Sequence, residues 1–472
     1  VAQKDAAIYY GAYTALVYAT GIFGGFVADR VLGFRRSILL GGLVMAAGMF
    51  TLIIYDQSYF LTGLAMIVVG NGLFKPNISS LVGKLYKEGD PRRDSGFTIF
   101  YMGINIGALI APLLCAGISN MFPMEVPLDQ LAPGTEISPE WQAAGVASLP
   151  DYRWGFALAG FGMLIGLLTF YVGQHRLGDK GLPPQGREGA LPIAGVLVGC
   201  AVLVPGVYFL IANREVAGYI LGGLALAMVS YIVLTALRLI REGDRPGGHR
   251  MFALIILLVA NTVFWSCFEQ AGNSLNFFAR DHVNNPSWFL PEWFQSVNPI
   301  YIVLLAPVFA WLWLWLDKRK LNPSIPVKFG LALVQVGLGF GVCLLAISTA
   351  DPDYRTVFIL MFLLYFLHTT GELCLSPVGL SMVTKLAPPS MTGLIMGAWF
   401  LSIACANFVA GLLSALAGTL DQAALAAGEI PRDAALNAYQ STFELILWYA
   451  LGSGALLLIF AKPINKLMHG IK

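Results

Sequence analysis

Apolar runs of about 18 to 25 residues recur from one end of this chain to the other, and no other feature restricts its fold as severely. Each run can cross a hydrocarbon core of roughly 30 Å at about 1.5 Å per residue. Inside lipid the backbone must satisfy its own N–H and C=O groups, which makes each run a helix. Composition agrees: of 472 residues, 57% are hydrophobic and 12% charged, where soluble domains carry roughly a quarter charged residues. The fold class is therefore an all-α integral membrane protein, with membrane lipids as its surroundings and no nucleic acid as a partner.

The runs fall near 7–28, 37–55, 60–84, 94–119, 153–173, 190–211, 216–240, 250–279, 293–316, 327–349, 355–386, 390–418 and 439–461. Assigning alternate loops to alternate sides collects most Lys and Arg residues, among them Arg30, Arg35, Arg36, Lys84, Arg176, Arg238, Arg319 and Lys466, on one side. The positive-inside rule makes that side cytoplasmic. The C-terminus is then cytoplasmic and residue 1 outside, an arrangement that calls for an earlier helix; the chain opens on Val1, and a missing first span is expected ahead of it. The six cysteines lie in or beside apolar runs without metal-ligand spacing, which reads as packed free thiols.

Segments 190–211 and 216–240 stand apart, flanked by Gly-, Pro- and charge-rich stretches at 174–189 and 241–249. This divides the chain into a helix bundle over 1–173 lacking its first span, a linker with two extra transmembrane helices over 174–249, and a second bundle over 250–472. The bundles share a repeat: Pro76, Ser80, Val82, Lys84 and Leu85 recur at identical spacing as Pro377, Ser381, Val383, Lys385 and Leu386. Paired proline interruptions at corresponding points of two halves mark a binding site near the bilayer midplane.

Three ionisable residues, Lys75, Glu269 and Glu372, sit deep inside apolar runs. A charge at that depth costs roughly 2.5 to 3.5 kcal/mol unless it meets water or a partner. One Lys–Glu pair that merely locks helices together accounts for two of them, but one ammonium cannot neutralise two carboxylates. The spare carboxylate must take a proton, a cation or a substrate amine. With the cation in the first half and the carboxylates in the second, a zwitterion fits the field. Tyr18, Asn105 and Asn298 can hydrogen-bond amides, and Trp265, Trp399 and Phe400 offer apolar walls, although such residues also serve as helix packing. His368, one turn before Glu372, reads as a core histidine before it reads as a proton relay. The segment from Gly24 to Arg30, with Gly33, suits a close helix crossing whose Asp29 and Arg30 form an ion pair or cap that gates it.

Gly24-Gly25-Phe26-Val27-Ala28-Asp29-Arg30, Phe100-Tyr101-Met102-Gly103-Ile104-Asn105-Ile106-Gly107, Gly70 to Asn77, Phe264-Trp265 with Glu269-Gln270, Asn298-Pro299, Glu372 with Ser376-Pro377, and Trp399-Phe400 together resemble the proton-coupled oligopeptide transporter family. The resemblance runs almost the whole length. It implies the major facilitator fold, two six-helix bundles with the bacterial two-helix insertion between them. It also implies import of di- and tripeptides by proton-coupled symport and alternating access in the cell inner membrane, by a protein working as a monomer. In that reading Lys75 receives the peptide carboxylate, Tyr18, Asn105 and Asn298 hold the peptide backbone, and Glu372 receives the amino terminus. Glu269, Trp265, Ser376, Trp399 and Phe400 belong to the same cavity, with Glu269 and Glu372 as proton-coupling carboxylates. The family's first helix, with its Glu-x-x-Glu-Arg motif, is absent from the sequence, and the first span holds no His.

No cofactor is expected beyond the coupling proton, and no metal. Neither His-Glu-x-x-His, Gly-x-Ser-x-Gly nor a phosphate-binding Gly-x-x-x-x-Gly-Lys-Ser/Thr loop occurs, so neither an enzyme nor a nucleotide-driven pump is expected. The rival reading is a proton-coupled symporter of another small organic solute, such as nitrate, a drug or another metabolite.

Overall fold

A computed structural model describes residues 3–86, 92–131, 139–388, 391–418 and 433–471. The helices are α1 (Gln3–Ala19), α2 (Gly21–Val27), α3 (Gly33–Thr51), α4 (Gln57–Lys84), α5 (Arg92–Met121), α6 (Pro139–Ala144), α7 (Tyr152–Gly173), α8 (Leu191–Ala212) and α9 (Arg214–Arg241). They continue with α10 (Arg245–Phe268), α11 (Ser274–Asp281), α12 (Val297–Lys318), α13 (Ile325–Ser348), α14 (Ile359–Leu386), α15 (Thr392–Ala417), α16 (Asp433–Ile459) and α17 (Ala461–Leu467). Among the described residues, 12 helical runs are long and apolar enough to span a membrane. Two expected spans, 7–28 and 37–55, fall in one run, Lys4–Thr51, where α2 passes through a π turn at Ala28–Leu32 and breaks at Gly33, whose φ of 73° favours glycine.

Chain contacts divide the molecule into two compact units, one from Ala12 to Ala217 and one made of the stretch up to Gly11 together with everything from Gly218 onward. The cut falls inside the 174–249 segment. Its first part joins the first unit because Arg35 donates from Nε to the Lys180 carbonyl (2.7 Å) and from Nη2 to the Gly178 carbonyl. Arg36 likewise donates to the carbonyls of Arg187 and Gly189. Beneath this clasp Ala28, Phe34, Ile38 and Leu81 form a small core with Phe170 and Leu177 against it.

Lipid tails are as apolar as leucine, so helices in a bilayer associate through close van der Waals contact rather than hydrophobic burial. In the first unit the α3–α4 crossing uses glycine pairs: a Cβ on Gly41 would lie 2.6 Å from the Gly70 carbonyl and one on Gly70 equally close to the Gly41 carbonyl, with Gly48 and Gly63 repeating the arrangement. In the second unit Gly330 of α13 and Gly454 of α16 meet in the same manner. There α10 is fastened to α15 by Asn261, which donates to the Ser402 hydroxyl (2.8 Å), and by Thr262, which donates to the Ser402 carbonyl (3.2 Å).

The sequence reading contains no strands, yet β1 (Met124–Pro127) pairs antiparallel with β2 (Val146–Leu149), Met124 facing Leu149. The hairpin leads to Asp151, which caps α7. Its buried carboxylate accepts from the Arg153 backbone N–H (3.1 Å) and from the Arg153 guanidinium at 2.7 to 3.0 Å. The Arg153 hydrogen bond holds the Asp151 carboxyl below the usual carboxylate range. A carboxylate lowered in the folded state adds stability that is present above its unfolded pKa and lost as pH falls through its folded pKa. Asp151→Ala should therefore lower the thermal unfolding midpoint at pH 7, by about 1 to 2 kcal/mol of stability for the lost cap. The gap from the unsubstituted protein should hold down to about pH 4 and close below it. Equal midpoints at pH 7 would contradict this role.

Candidate functional site

In the first unit the chemistry gathers at the proline break of α4. Proline lacks an N–H and leaves the carbonyl four residues earlier, here Gly72, without its helical donor. At that point a Cβ on Gly24 of α2 would overlap the Gly72 carbonyl. Three polar side chains stitch the crossing: Thr20 donates to the Val68 carbonyl (3.1 Å), Asn71 to the Val17 carbonyl (3.3 Å) and Asn77 to the Gly24 carbonyl (2.9 Å). Lys75, the residue before the break, is exposed, and its ammonium stands 4.1 Å from the centre of the Tyr18 ring. A ring face so placed stabilises a cation by roughly 0.5 to 2 kcal/mol, more as water is withdrawn. Tyr18 and Lys75 are thus brought together.

Asp29 lies on the π turn and pairs with Lys84 at the end of α4, at 3.9 Å. With both side chains more than half exposed, this pair adds little to stability. Arg30 is exposed. Asn105 is buried on α5 and donates its amide to the Tyr101 carbonyl of its own helix (2.9 Å).

In the second unit, α14 carries Glu372 five residues before Pro377. Its carboxylate is 7% exposed and accepts a hydrogen bond from the Asn298 amide of α12 (3.0 Å). The same nitrogen donates to the Thr369 hydroxyl (3.0 Å), which itself donates to the Tyr365 carbonyl (2.7 Å). Both Asn298 protons are therefore spent, and its carbonyl oxygen is the atom left to meet a ligand. Glu269, half-buried at the C-terminal cap of α10, is the like charge that acts on Glu372. The two expected carboxylates and Asn298 are thus neighbours.

Trp265 is held edge-on by Phe268 (5.1 Å between ring centres), and its indole nitrogen is buried without a hydrogen-bond partner among the described residues. The Ser376 hydroxyl, one turn beyond Glu372, is likewise buried and unbonded. Trp399 is buried against Gly379, where a Cβ would overlap its ring, and Phe400 beside it is half-buried. His368 is fully buried between Phe268 and Phe340, its ring over Gly339, in a core position.

Thr20, Thr369 and Gly379 were not singled out in the sequence. A threonine in a span donates to its own helix as readily as to another, so only the fold separates the two cases. The signal for Gly379 was its place two residues after Pro377.

A family model described as the POT family matches residues 35–430. The peptide transporter YePEPT of Yersinia enterocolitica is 32% identical, across 99% of this chain and 87% of its own. The di-/tripeptide transporter of Lactococcus lactis subsp. cremoris is 31% identical, across 98% and 86%. Among solved structures, a variant of the peptide transporter POT in complex with alafosfalin is 35% identical with a TM-score of 0.76, across 99% of this chain and 87% of that one. A POT family transporter in complex with 5-aminolevulinic acid is 27% identical with a TM-score of 0.76, across 98% and 89%.

The α2–α4 crossing yields a paired test. Gly24→Val should abolish the monodisperse size-exclusion peak, because its side chain meets the Gly72 backbone, whereas Gly25→Val, with nothing within 4 Å of a Cβ, should keep it. Equal behaviour of the two would refute the crossing.

Proposed function

Because this chain belongs to the POT family of peptide transporters, with the major facilitator fold, we propose that it is a proton-coupled symporter importing di- and tripeptides by alternating access. The observation that carries the proposal is the Glu372 carboxylate, buried, hydrogen-bonded by Asn298 and within electrostatic reach of the Glu269 carboxylate. Two neighbouring carboxylates repel each other, and one proton relieves the repulsion. A site that changes its net charge by one proton and holds the ligand's amine can couple the two.

In this mechanism nothing covalent happens. The peptide's amino terminus goes to Glu372, and its carboxylate goes to Lys75, whose ammonium Tyr18 already steadies. Asn105, the Asn298 carbonyl oxygen and the unbonded Ser376 hydroxyl serve the peptide backbone, and Trp265, Trp399 and Phe400 bound its side chains. Protonation of Glu269 frees Glu372 for the amine; release of proton and peptide resets the pair. Asp29, with Arg30 beside it, would exchange its Lys84 partner as the gate moves. The protein would act as a monomer in the cell inner membrane with its C-terminus in the cytoplasm, and the 190–240 hairpin would be an insertion between two six-helix bundles.

One observation favours the second reading, a different small solute: one POT family transporter is in complex with 5-aminolevulinic acid, a molecule with an amine and a carboxylate but no peptide bond. Competition by unlabelled dipeptides separates the readings.

The decisive measurement is uptake of labelled di- and tripeptides into proteoliposomes under an imposed pH gradient, with and without an ionophore. Accumulation should follow the gradient and collapse with the ionophore. Glu269→Gln should lose gradient-driven accumulation and retain peptide counterflow; intact accumulation would remove Glu269 from coupling. Lys75→Gln should raise the half-saturating peptide concentration at least ten-fold, the cost of a lost charged hydrogen bond of about 1.5 to 3 kcal/mol.

A further inference from the structure

Away from these residues, the second unit carries a groove of about 350 Å³ between α10, the end of α16 and α17. Ile256, Leu456, Phe460, Pro463, Ile464 and Leu467 line it, and no polar atom does. Leu456 and Phe460 of its lining are each more than half exposed, so the groove opens on an exposed apolar face, the kind that hydrocarbon covers in a spanning helix. One end is cationic. Lys462 and Lys466, both exposed and four residues apart on one face of α17, flank Pro463 and Leu467. Arg250 lies on α10 about 9 Å before Ile256, and its buried Nε has no hydrogen-bond partner among the described residues. Neither α17 nor the described residues after it contain an acidic side chain. The nearest acid before α10, Asp244, is engaged in capping that helix through the Gly247 N–H (2.9 Å). His249 Nδ1 and His469 Nε2 meet at 2.9 Å and tie the start of α10 to the chain beyond α17, which fixes the cationic end.

We propose that this groove is a binding site for an anionic phospholipid, with one acyl chain along Ile256, Leu456 and Ile464 and the phosphate at Lys462, Lys466 and Arg250. An apolar slot opening on hydrocarbon and ending in cations matches an amphiphile with an anionic head. A peptide from water would meet the cationic end first and would have to leave its backbone unbonded in the apolar slot. A second copy of the chain seated by two-fold symmetry would bring the same lysines against one another, and like charges repel. The Arg250 Nε–H, without a partner among the described residues, is a donor of the kind a phosphate oxygen accepts from.

The test is native mass spectrometry of the full chain, delipidated in detergent and titrated with phosphatidylglycerol or phosphatidylcholine of identical acyl chains. Phosphatidylglycerol should bind at least ten-fold more tightly than phosphatidylcholine, and the preference should shrink as salt is raised. Lys462→Gln with Lys466→Gln should abolish the preference and leave phosphatidylcholine binding unchanged, and Ile256→Trp, which fills the slot, should weaken both lipids. The salt titration of the unsubstituted protein reads the same electrostatic contribution without any variant. Equal binding of the two lipids, a preference that survives the double substitution, or a lipid-free dimer would overturn the proposal.

Discussion

The hydrogen bond from Asn298 to Glu372 sets the terms for the second unit. A carboxylate among apolar helices loses its water, and one amide donor plus the adjacent hydroxyl network is the least a fold can offer in exchange. That bond can form only if α12 presents its first turn to the middle of α14, so a single polar contact fixes where two spans meet. Charge-assisted bonds are stronger than neutral ones and depend more on direction, and the arrangement is correspondingly specific. Trp399 resting on Gly379 then sets α15 against the same stretch of α14.

The first unit solves the same problem with different materials. Its ion is a cation, and an aromatic face rather than an amide attends it. Its helices are held by backbone approach at Gly41 and Gly70, Gly48 and Gly63, and Gly24 and Gly72. Each approach trades side-chain volume for dense contact, the currency left when solvent is as apolar as the helices themselves. Thr20, Asn71 and Asn77 donate to carbonyls across that crossing, so polar groups within the span glue helices while satisfying their own donors.

Hydropathy made the helices legible because a bilayer imposes one length scale and one backbone solution on every span; among the described residues each of the thirteen expected runs lies mostly on helix, although two share the run Lys4–Thr51 and the ends differ by a few residues. The proline pair and the three ionisable residues set within apolar runs were legible for a related reason, since each violates what lipid tolerates, although of the three only Glu372 is buried, Glu269 being half-buried and Lys75 exposed. What stayed hidden is short in range or distant in sequence. Four residues such as Met124 to Pro127 carry too little pattern to declare a strand, and they pair with residues some twenty positions later. The clasp of Arg35 on the carbonyls of Gly178 and Lys180 reaches across more than 140 residues. Composition therefore placed a linker at 174, where the contacts of the fold continue to Ala217. Of the site, the ions and their aromatic neighbours were readable; which proton of which amide was already committed was not.

The repeat also shows how the two proline-interrupted helices come to carry different polar groups at matching positions. Both proline-broken helices, α4 and α14, are 28 residues long, and counted from the proline the first has Asn71 at the position of Glu372 and Lys75 at the position of Ser376. The shared frame supplies the break, the freed carbonyl and a polar position on each side of it. The differences supply the sign: a neutral amide and a cation in one copy, a carboxylate and a hydroxyl in the other. Divergence at two positions of a common frame is enough to give two otherwise alike proline-interrupted helices different polar chemistry.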